Sequence, residues 1–233
     1  MKKKNVFVVG LNDFNRSFLE RIPHASEYVF HGLLDPAEVL ETYEFDIPDM
    51  VRRSCEQLKL FQKTTGESVD AVCGYMDFPV STMLPLICKE FGTKSPSLES
   101  LLKCEHKYWS RVEQQKIIPE YIPDFVAFDP FDDQALSRIN LPYPFWIKPI
   151  KSSGSFLGFR IDHEEDFLAA IPQIQAQINL ISDPFNYVLS QMKLPLEIAG
   201  VGGGFCMAES IIGGRQCTQE GYSQNGQVES MGI

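Results

Sequence analysis

Short apolar runs alternate with helical patterns over the first 95 residues of the chain. The runs at residues 6–9, 28–30 and 69–74 are typical of buried strands, and a helix is predicted over residues 50–62. A helix that connects two such strands returns the chain to the same end of the sheet, which makes the strands parallel. The alternation therefore predicts an α/β fold with a doubly wound sheet in this part of the chain.

The charge balance excludes several classes of function. The chain has 233 residues, a formal net charge of −10 and a pI of about 4.9. Because an acidic surface repels nucleic acids and anionic membranes, neither is expected as a partner. No apolar run approaches the roughly 20 residues that a membrane span requires. A phosphate ligand would therefore need a local basic site.

The six cysteines lie far apart in the sequence. None forms a C-x-x-C pair, and no histidine is spaced to complete a zinc site. Scattered thiols of this kind are typical of proteins in a reducing compartment. We therefore expect free thiols and a cytoplasmic location, and we assign no metal ligands.

One candidate basic site is a lysine followed by a loop of small residues. An aromatic and β-branched strand over residues 144–149 carries Lys148, and Ser152, Ser153, Gly154 and Ser155 follow it. Backbone N–H groups in such a loop can surround a polyphosphate, and the ammonium supplies a point charge. Two other interpretations stay open: the loop is only a hairpin connection, and Lys148 extends to the surface.

Two further segments can contribute to the same site. Lys107 lies in a helix predicted to start at residues 97–100 and to continue to residue 115, although a lone lysine there also fits an ordinary solvated helix surface. A strand predicted over residues 205–209 leads into a glycine turn at 213–214. Another strand is predicted over residues 187–191, and His106 is expected to be exposed.

The order of these motifs resembles that of the ATP-grasp superfamily. Members have a Rossmann-like domain, then a helix with a lysine, a strand with a "K-P" lysine and a glycine- and serine-rich loop. A hinge that holds the adenine and ribose follows. The resemblance implies a Rossmann-like pre-ATP-grasp domain over residues 1–95. It also implies an incomplete ATP-grasp domain, of the α+β kind, over residues 96–233.

The resemblance also implies roles for individual residues in binding ATP. Lys107 and Lys148 would contact phosphate oxygens, and the mobile cover of the phosphates would be Ser152, Ser153, Gly154 and Ser155. Glu209 would lie at the adenine edge, where backbone groups of Ser210 and Ile211 would read the base. Gln216 stands where many members have a ribose-binding glutamate. An amide forms this hydrogen bond without the strength that a charge adds.

The activity implied by the resemblance is ATP-dependent ligation. A carboxylate would be phosphorylated to an acyl phosphate, which an amine or a similar nucleophile then attacks. Members hold Mg²⁺ through acidic residues that follow the hinge, and the chain reaches residue 233 at about that point. We therefore expect a fragment of a larger ligase that lacks these ligands. Its exposed sheet edge would be covered by a second copy or by a partner chain.

Two other classes of function remain open, and so does catalysis by this chain. The first is a non-catalytic nucleotide-binding or regulatory module that acts through a partner, against which turnover of Mg-ATP would argue. The second is a nicotinamide-dependent oxidoreductase that uses the first domain. The segment at residues 10–13 lacks the later glycines of a dinucleotide fingerprint, and tight binding of a dinucleotide would favour this class.

Overall fold

The first part of the chain forms a parallel sheet, as its strand–helix alternation predicts. The computed structural model describes residues 2–40 and 44–232. The strands of this sheet are β1 (Lys4–Val9), β2 (Tyr28–Leu33) and β3 (Ala71–Cys73). They lie in the order β2-β1-β3, and β1 is parallel to both neighbours. The predicted α/β class is confirmed.

Four helices accompany this sheet. They are α1 (Asp13–Leu19), α2 (Pro36–Leu40), α3 (Ile47–Thr65) and α4 (Val80–Phe91). The helix predicted over residues 50–62 is α3, which is longer at both ends. The Asp46 carboxylate accepts the N–H of Asp49 at its start, and Gly66 ends it with φ of +69°.

The remainder of the described chain contains a second sheet and five more helices. The helices are α5 (Leu98–Glu105), α6 (Lys107–Gln115), α7 (Ala135–Arg138), α8 (Glu164–Gln177) and α9 (Asn179–Leu189). The sheet contains β4 (Phe125–Phe128), β5 (Phe145–Pro149), β6 (Phe159–Ile161) and β7 (Cys206–Ser210), in the antiparallel order β4-β7-β5-β6. A separate hairpin pairs β8 (Glu220–Gln224) with β9 (Gln227–Gly232).

The two faces of the second sheet have different environments. Phe145, Ile147 and Ala208 point to a hydrophobic cluster that includes Phe167 and Ile174 of α8. The alternate residues of β5 and β7 point the other way, because successive side chains of a strand lie on opposite faces. This second face carries the charged residues of the candidate site.

A hydrophobic cluster joins the first sheet to later helices. Leu33 and Val72 of the first sheet belong to the same buried cluster as Leu102, Trp109 and Phe185, which lie on α5, α6 and α9. The cluster therefore includes residues from both sides of position 95, where we predict the domain boundary. Burial of these side chains fixes the orientation of α5 and α6 relative to the parallel sheet.

The strand predicted over residues 187–191 is wrong. Residues up to Leu189 belong to α9, whose buried residues include Ile181, Phe185, Val188 and Leu189. This spacing is that of one helix face, whereas the run at 187–189 is too short to distinguish a strand from a buried helix. Packing against the first hydrophobic cluster stabilises the helix despite Pro184 in its interior.

The helix predicted over residues 97–115 is not continuous, because the chain bends at His106. The His106 backbone has φ of −89° and ψ of 100°, which ends α5 and begins α6. Its Nδ1 accepts the N–H of Trp109 at 3.1 Å, so Nε2 donates to the carbonyl oxygen of Val201 at 2.8 Å. His106 is fully buried rather than exposed, and it fixes the start of α6.

The shared cluster predicts a large cost for truncating Phe185. This ring is fully buried and lies 5.9 Å from the Phe78 ring and 6.1 Å from the His106 ring. Phe185→Ala should lower the free energy of unfolding by about 3 to 5 kcal/mol in urea denaturation, because it leaves a cavity. Phe131→Ala, at a ring that is 53% exposed, should cost less than about 1 kcal/mol. Equal costs would contradict the described core.

Candidate functional site

A buried carboxylate holds two cations on the charged face of the second sheet. The antiparallel register places Glu209 of β7 opposite Trp146 of β5, so Glu209, Trp146 and Lys148 lie on the same face. The Lys148 ammonium forms an ion pair with the Glu209 carboxylate. Arg111 of α6 donates from Nε to the second oxygen at 3.1 Å. The Glu209 side chain is only 9% exposed, so the two cations compensate a charge that would otherwise be costly to bury.

Lys107 contacts the small-residue loop directly. Its backbone N–H donates to the carbonyl oxygen of Ile150 at 3.1 Å. Its ammonium donates to the carbonyl oxygen of Ser152 at 2.5 Å and to the hydroxyl of Ser152 at 3.1 Å. Both of these acceptors are neutral, so an anion at this position would gain a charge-assisted hydrogen bond.

The environment of Lys107 disfavours its protonated form. Burial is the largest cause, and the positive charges of Lys151 and Lys148 add to it, so the pKa of Lys107 falls to about 8. Glu105 and Asp77 oppose this change only in part. The Lys148 and Lys151 ammonium groups thus lie close enough to Lys107 to repel it, and an anion beside Lys107 would relieve this repulsion.

The small-residue loop connects β5 to β6, its antiparallel neighbour. The connection at residues 150–158 is longer than the roughly two to five residues of ordinary hairpin loops. Ser153, Gly154 and Ser155 are exposed, and both Gly154 and Ser155 have positive φ, at +57° and +62°. Two backbone hydrogen bonds form turns in the loop. The Phe156 N–H donates to the Ser153 carbonyl oxygen, and the Gly158 N–H donates to the Ser155 carbonyl oxygen. The loop therefore presents small side chains and backbone to solvent.

The residues at the end of β7 and just after it are only partly connected to the lysines of the candidate site. The N–H of Ser210 donates to the carbonyl oxygen of Asp124 at 2.9 Å, so this donor already has a partner. Ile211 is half-buried just beyond the strand. Gln216 is exposed on the irregular stretch 211–219. Among the described residues, no hydrogen bond joins Gln216 to the lysine cluster. The structure thus brings together Lys107, Lys148, Ser152 and Glu209.

Sequence reasoning missed a buried ion pair beside the loop. Lys151 is 4% exposed and Glu105 is 7% exposed, and their side chains form an ion pair. Ser81 of α4 donates its hydroxyl to Glu105 at 2.7 Å. Burial and the neighbouring Asp77 carboxyl raise the pKa of Glu105. The available signal was a lysine directly after a buried strand end, which is costly without a buried partner.

Sequence reasoning also missed Arg111. It follows Lys107 by four residues, so both side chains lie on one face of α6. That spacing was visible in the sequence, but its significance depended on knowing that Glu209 lies opposite.

Residues 2–40 and 44–232 lack two features, one for binding metals and one for crossing membranes. No group of three or more histidine, cysteine, aspartate or glutamate residues in these ranges is arranged to hold a metal ion. No helix in these ranges combines the length and the apolar character that crossing a membrane requires.

Comparison with known proteins identifies the fold. No family model and no curated protein matches the sequence. The L-amino acid ligase from Bacillus licheniformis matches at a TM-score of 0.67 and 16% identity, over 99% of this chain and 52% of that one. D-alanyl-alanine synthetase A from Vibrio cholerae matches at a TM-score of 0.58 and 12% identity, over 99% of this chain and 66% of that one.

A third match comes from a nucleotide complex. Carboxyaminoimidazole ribonucleotide synthase from Aspergillus clavatus, complexed with ATP, matches at a TM-score of 0.51 and 15% identity, over 90% of this chain and 47% of that one. All three are ATP-grasp ligases. The chain has the ATP-grasp fold, as the order of its motifs predicted, and it spans about half the length of the first and third of these enzymes.

The lowered pKa of Lys107 predicts a particular dependence of stability on pH. The folded-state pKa of about 8 lies below the ordinary value of 10.5, so between these values the unfolded chain keeps a proton that the folded chain has lost. Stability from this group should therefore rise with pH. The free energy of unfolding of the wild type, minus that of Lys107→Met, should rise by about 1 to 2 kcal/mol between about pH 7.5 and pH 9.5. If urea denaturation shows that this difference in the free energy of unfolding does not change with pH, the lowered pKa of Lys107 is contradicted.

Proposed function

We propose that this chain binds ATP on the charged face of its second sheet and supplies the nucleotide side of an ATP-dependent carboxylate–amine ligase. The observation that carries the proposal is that Lys107 of α6 contacts the segment that carries Lys148 and the small-residue loop, within an ATP-grasp fold. ATP-dependent ligation of a carboxylate to an amine is the family activity. The comparisons establish the fold, and the ligation itself is our proposal for this chain.

The lysines suit the triphosphate because the rest of the chain is acidic. With a net charge of −10, the protein does not attract an anion through its overall field. Lys107 and Lys148 supply local positive charge to phosphate oxygens, and Lys107 would exchange its carbonyl partner on Ser152 for a phosphate oxygen. The exposed small residues of the loop, Ser153, Gly154 and Ser155, would then cover the phosphates with backbone N–H groups.

The base and ribose are proposed to lie along the segment after β7. The Glu209 carboxylate remains paired with Lys148 and Arg111. The groups proposed to contact the base are therefore backbone groups at the end of the strand. The N–H of Ser210 already has a partner, so its carbonyl and the backbone of Ile211 are the proposed contacts for the adenine edge. Gln216 would reach a ribose hydroxyl only after the stretch at 211–219 moves towards the sheet.

The chemistry follows from charge neutralisation and positioning. A carboxylate oxygen attacks the γ-phosphorus, the bond to the bridging oxygen of ADP breaks, and an acyl phosphate forms. An amine then attacks the acyl carbon and releases phosphate. Lys107 and Lys148 would offset the negative charge on the phosphate oxygens, and the loop would hold the triphosphate in one orientation.

Loss of the Lys148 charge should weaken ATP binding. Lys148→Met keeps most of the side-chain volume but removes one of the two proposed phosphate contacts. The dissociation constant for ATP, measured by calorimetry with the full chain, should increase by about tenfold or more. Lys63→Met, at an exposed position near the end of α3, is the matched control and should leave the constant unchanged. Unchanged affinity in Lys148→Met would remove the central claim.

Ligand selectivity and turnover separate the proposal from its rivals. The wild type should prefer ATP to NADH, and tight binding of the dinucleotide would instead favour an oxidoreductase. Release of phosphate from Mg-ATP that depends on an added carboxylate and amine would support ligation by this chain. ATP binding without such turnover would favour a nucleotide-binding module that acts through a partner.

A further inference from the structure

We propose that the buried Lys151–Glu105 pair holds the small-residue loop and Lys107 in the relative positions that binding of the triphosphate requires. This inference rests on the proposed function, because these positions matter only if the loop and Lys107 bind phosphates. Neither residue is placed in contact with the nucleotide. Both are positioning residues, and their effect passes through Ser152 and Lys107.

The connectivity of the chain makes this pair effective. Lys151 directly precedes Ser152, whose carbonyl and hydroxyl accept the Lys107 ammonium. Glu105 lies two residues before Lys107, at the end of α5. One ion pair therefore joins the root of the loop to the start of α6. The hydrogen bond from the Lys107 N–H to Ile150 supports the same junction from the backbone.

The surroundings of the pair restrict both side chains. The Lys151 ammonium lies 5.0 Å from the centroid of the Phe78 ring and 6.0 Å from that of Phe185. Ser81 donates its hydroxyl to Glu105. Phe78 and Ser81 follow β3 in the part of the chain that forms the parallel sheet. The pair thus fixes the position of the small-residue loop relative to the part of the chain that forms the parallel sheet.

Positioning and simple electrostatics predict opposite results for one substitution. Glu105→Gln removes a negative charge near the proposed phosphates, so electrostatics alone would tighten ATP binding. If the pair positions the loop, losing the charge-assisted bond to Lys151 should weaken ATP binding despite the less negative site. The sign of the change therefore distinguishes the two effects.

The main experiment measures the ATP dissociation constant of the full chain by calorimetry. Glu105→Gln and Lys151→Met should both weaken binding by roughly fivefold or more, and Lys151→Arg should recover most of the loss. Glu99→Gln is the matched control, because Glu99 lies on the same helix but pairs with Lys103 at the surface, and it should have no effect. Tighter or unchanged binding in Glu105→Gln would overturn the inference.

Two measurements in the absence of nucleotide test the inference independently of ATP binding. Hydrogen exchange of the amides at residues 152–158 should be faster in Glu105→Gln and Lys151→Met but not in Glu99→Gln.

The second measurement concerns the charged groups around Lys107. The groups that face Lys107 are Lys151, Lys148, Glu105 and Asp77. In NMR titrations of ¹³C-labelled lysine, the pKa of Lys107 should therefore rise in Lys151→Met and fall in Glu105→Gln. A general loss of structure would raise it in both variants.

The outcomes separate this inference from the proposed function. If the wild type binds no ATP but the exchange and titration results hold, the proposed function fails while the positioning of Lys107 stands. If the wild type binds ATP and loop exchange is the same in all variants, the function stands and the positioning role is refuted.

Discussion

The buried carboxylate of Glu209 is the constraint on which the candidate site depends. A carboxylate that is 9% exposed needs compensating charge, and Lys148 and Arg111 supply it from β5 and α6. Satisfying this one group therefore brings a strand lysine and a helix onto the same face of the second sheet. Arg111 and Lys107 share a face of α6, so the same requirement directs Lys107 towards the loop.

A second buried pair relates this face to the parallel sheet. Lys151 pairs with Glu105, and its ammonium lies over the rings of Phe78 and Phe185, beside a hydrophobic cluster that contains residues from both parts of the chain. Packing in this cluster holds α5, α6 and α9 against the parallel sheet, and the ion pair is proposed to set the position of the loop relative to them. The three lysines can remain close together because carboxylates flank two of them and burial shifts the third towards its neutral form.

Local patterns in the sequence were sufficient for the parallel sheet, because buried strands and their helices are marked by neighbouring residues. They also pointed to Lys148 and the loop at Ser152, whereas Lys107, which the structure places on Ser152, was predicted only through the resemblance to the ATP-grasp superfamily. They were not sufficient at His106 and at residues 187–189, where partners distant in sequence decide the conformation. The partners of Lys151 and Glu209 were invisible for the same reason, since an ion pair between distant residues leaves no periodic signal.

The central claim is that the phosphates of ATP lie beside Lys107 and Lys148. An acyl-phosphate derivative of ATP transfers its acyl group to lysines next to its phosphates, and peptide mass spectrometry locates the modified residue. We predict modification of Lys107 and Lys148 that an excess of ATP prevents, with greater reactivity at Lys107 because its pKa is lowered. Modification confined to exposed lysines such as Lys63, with no protection by ATP, would contradict the claim.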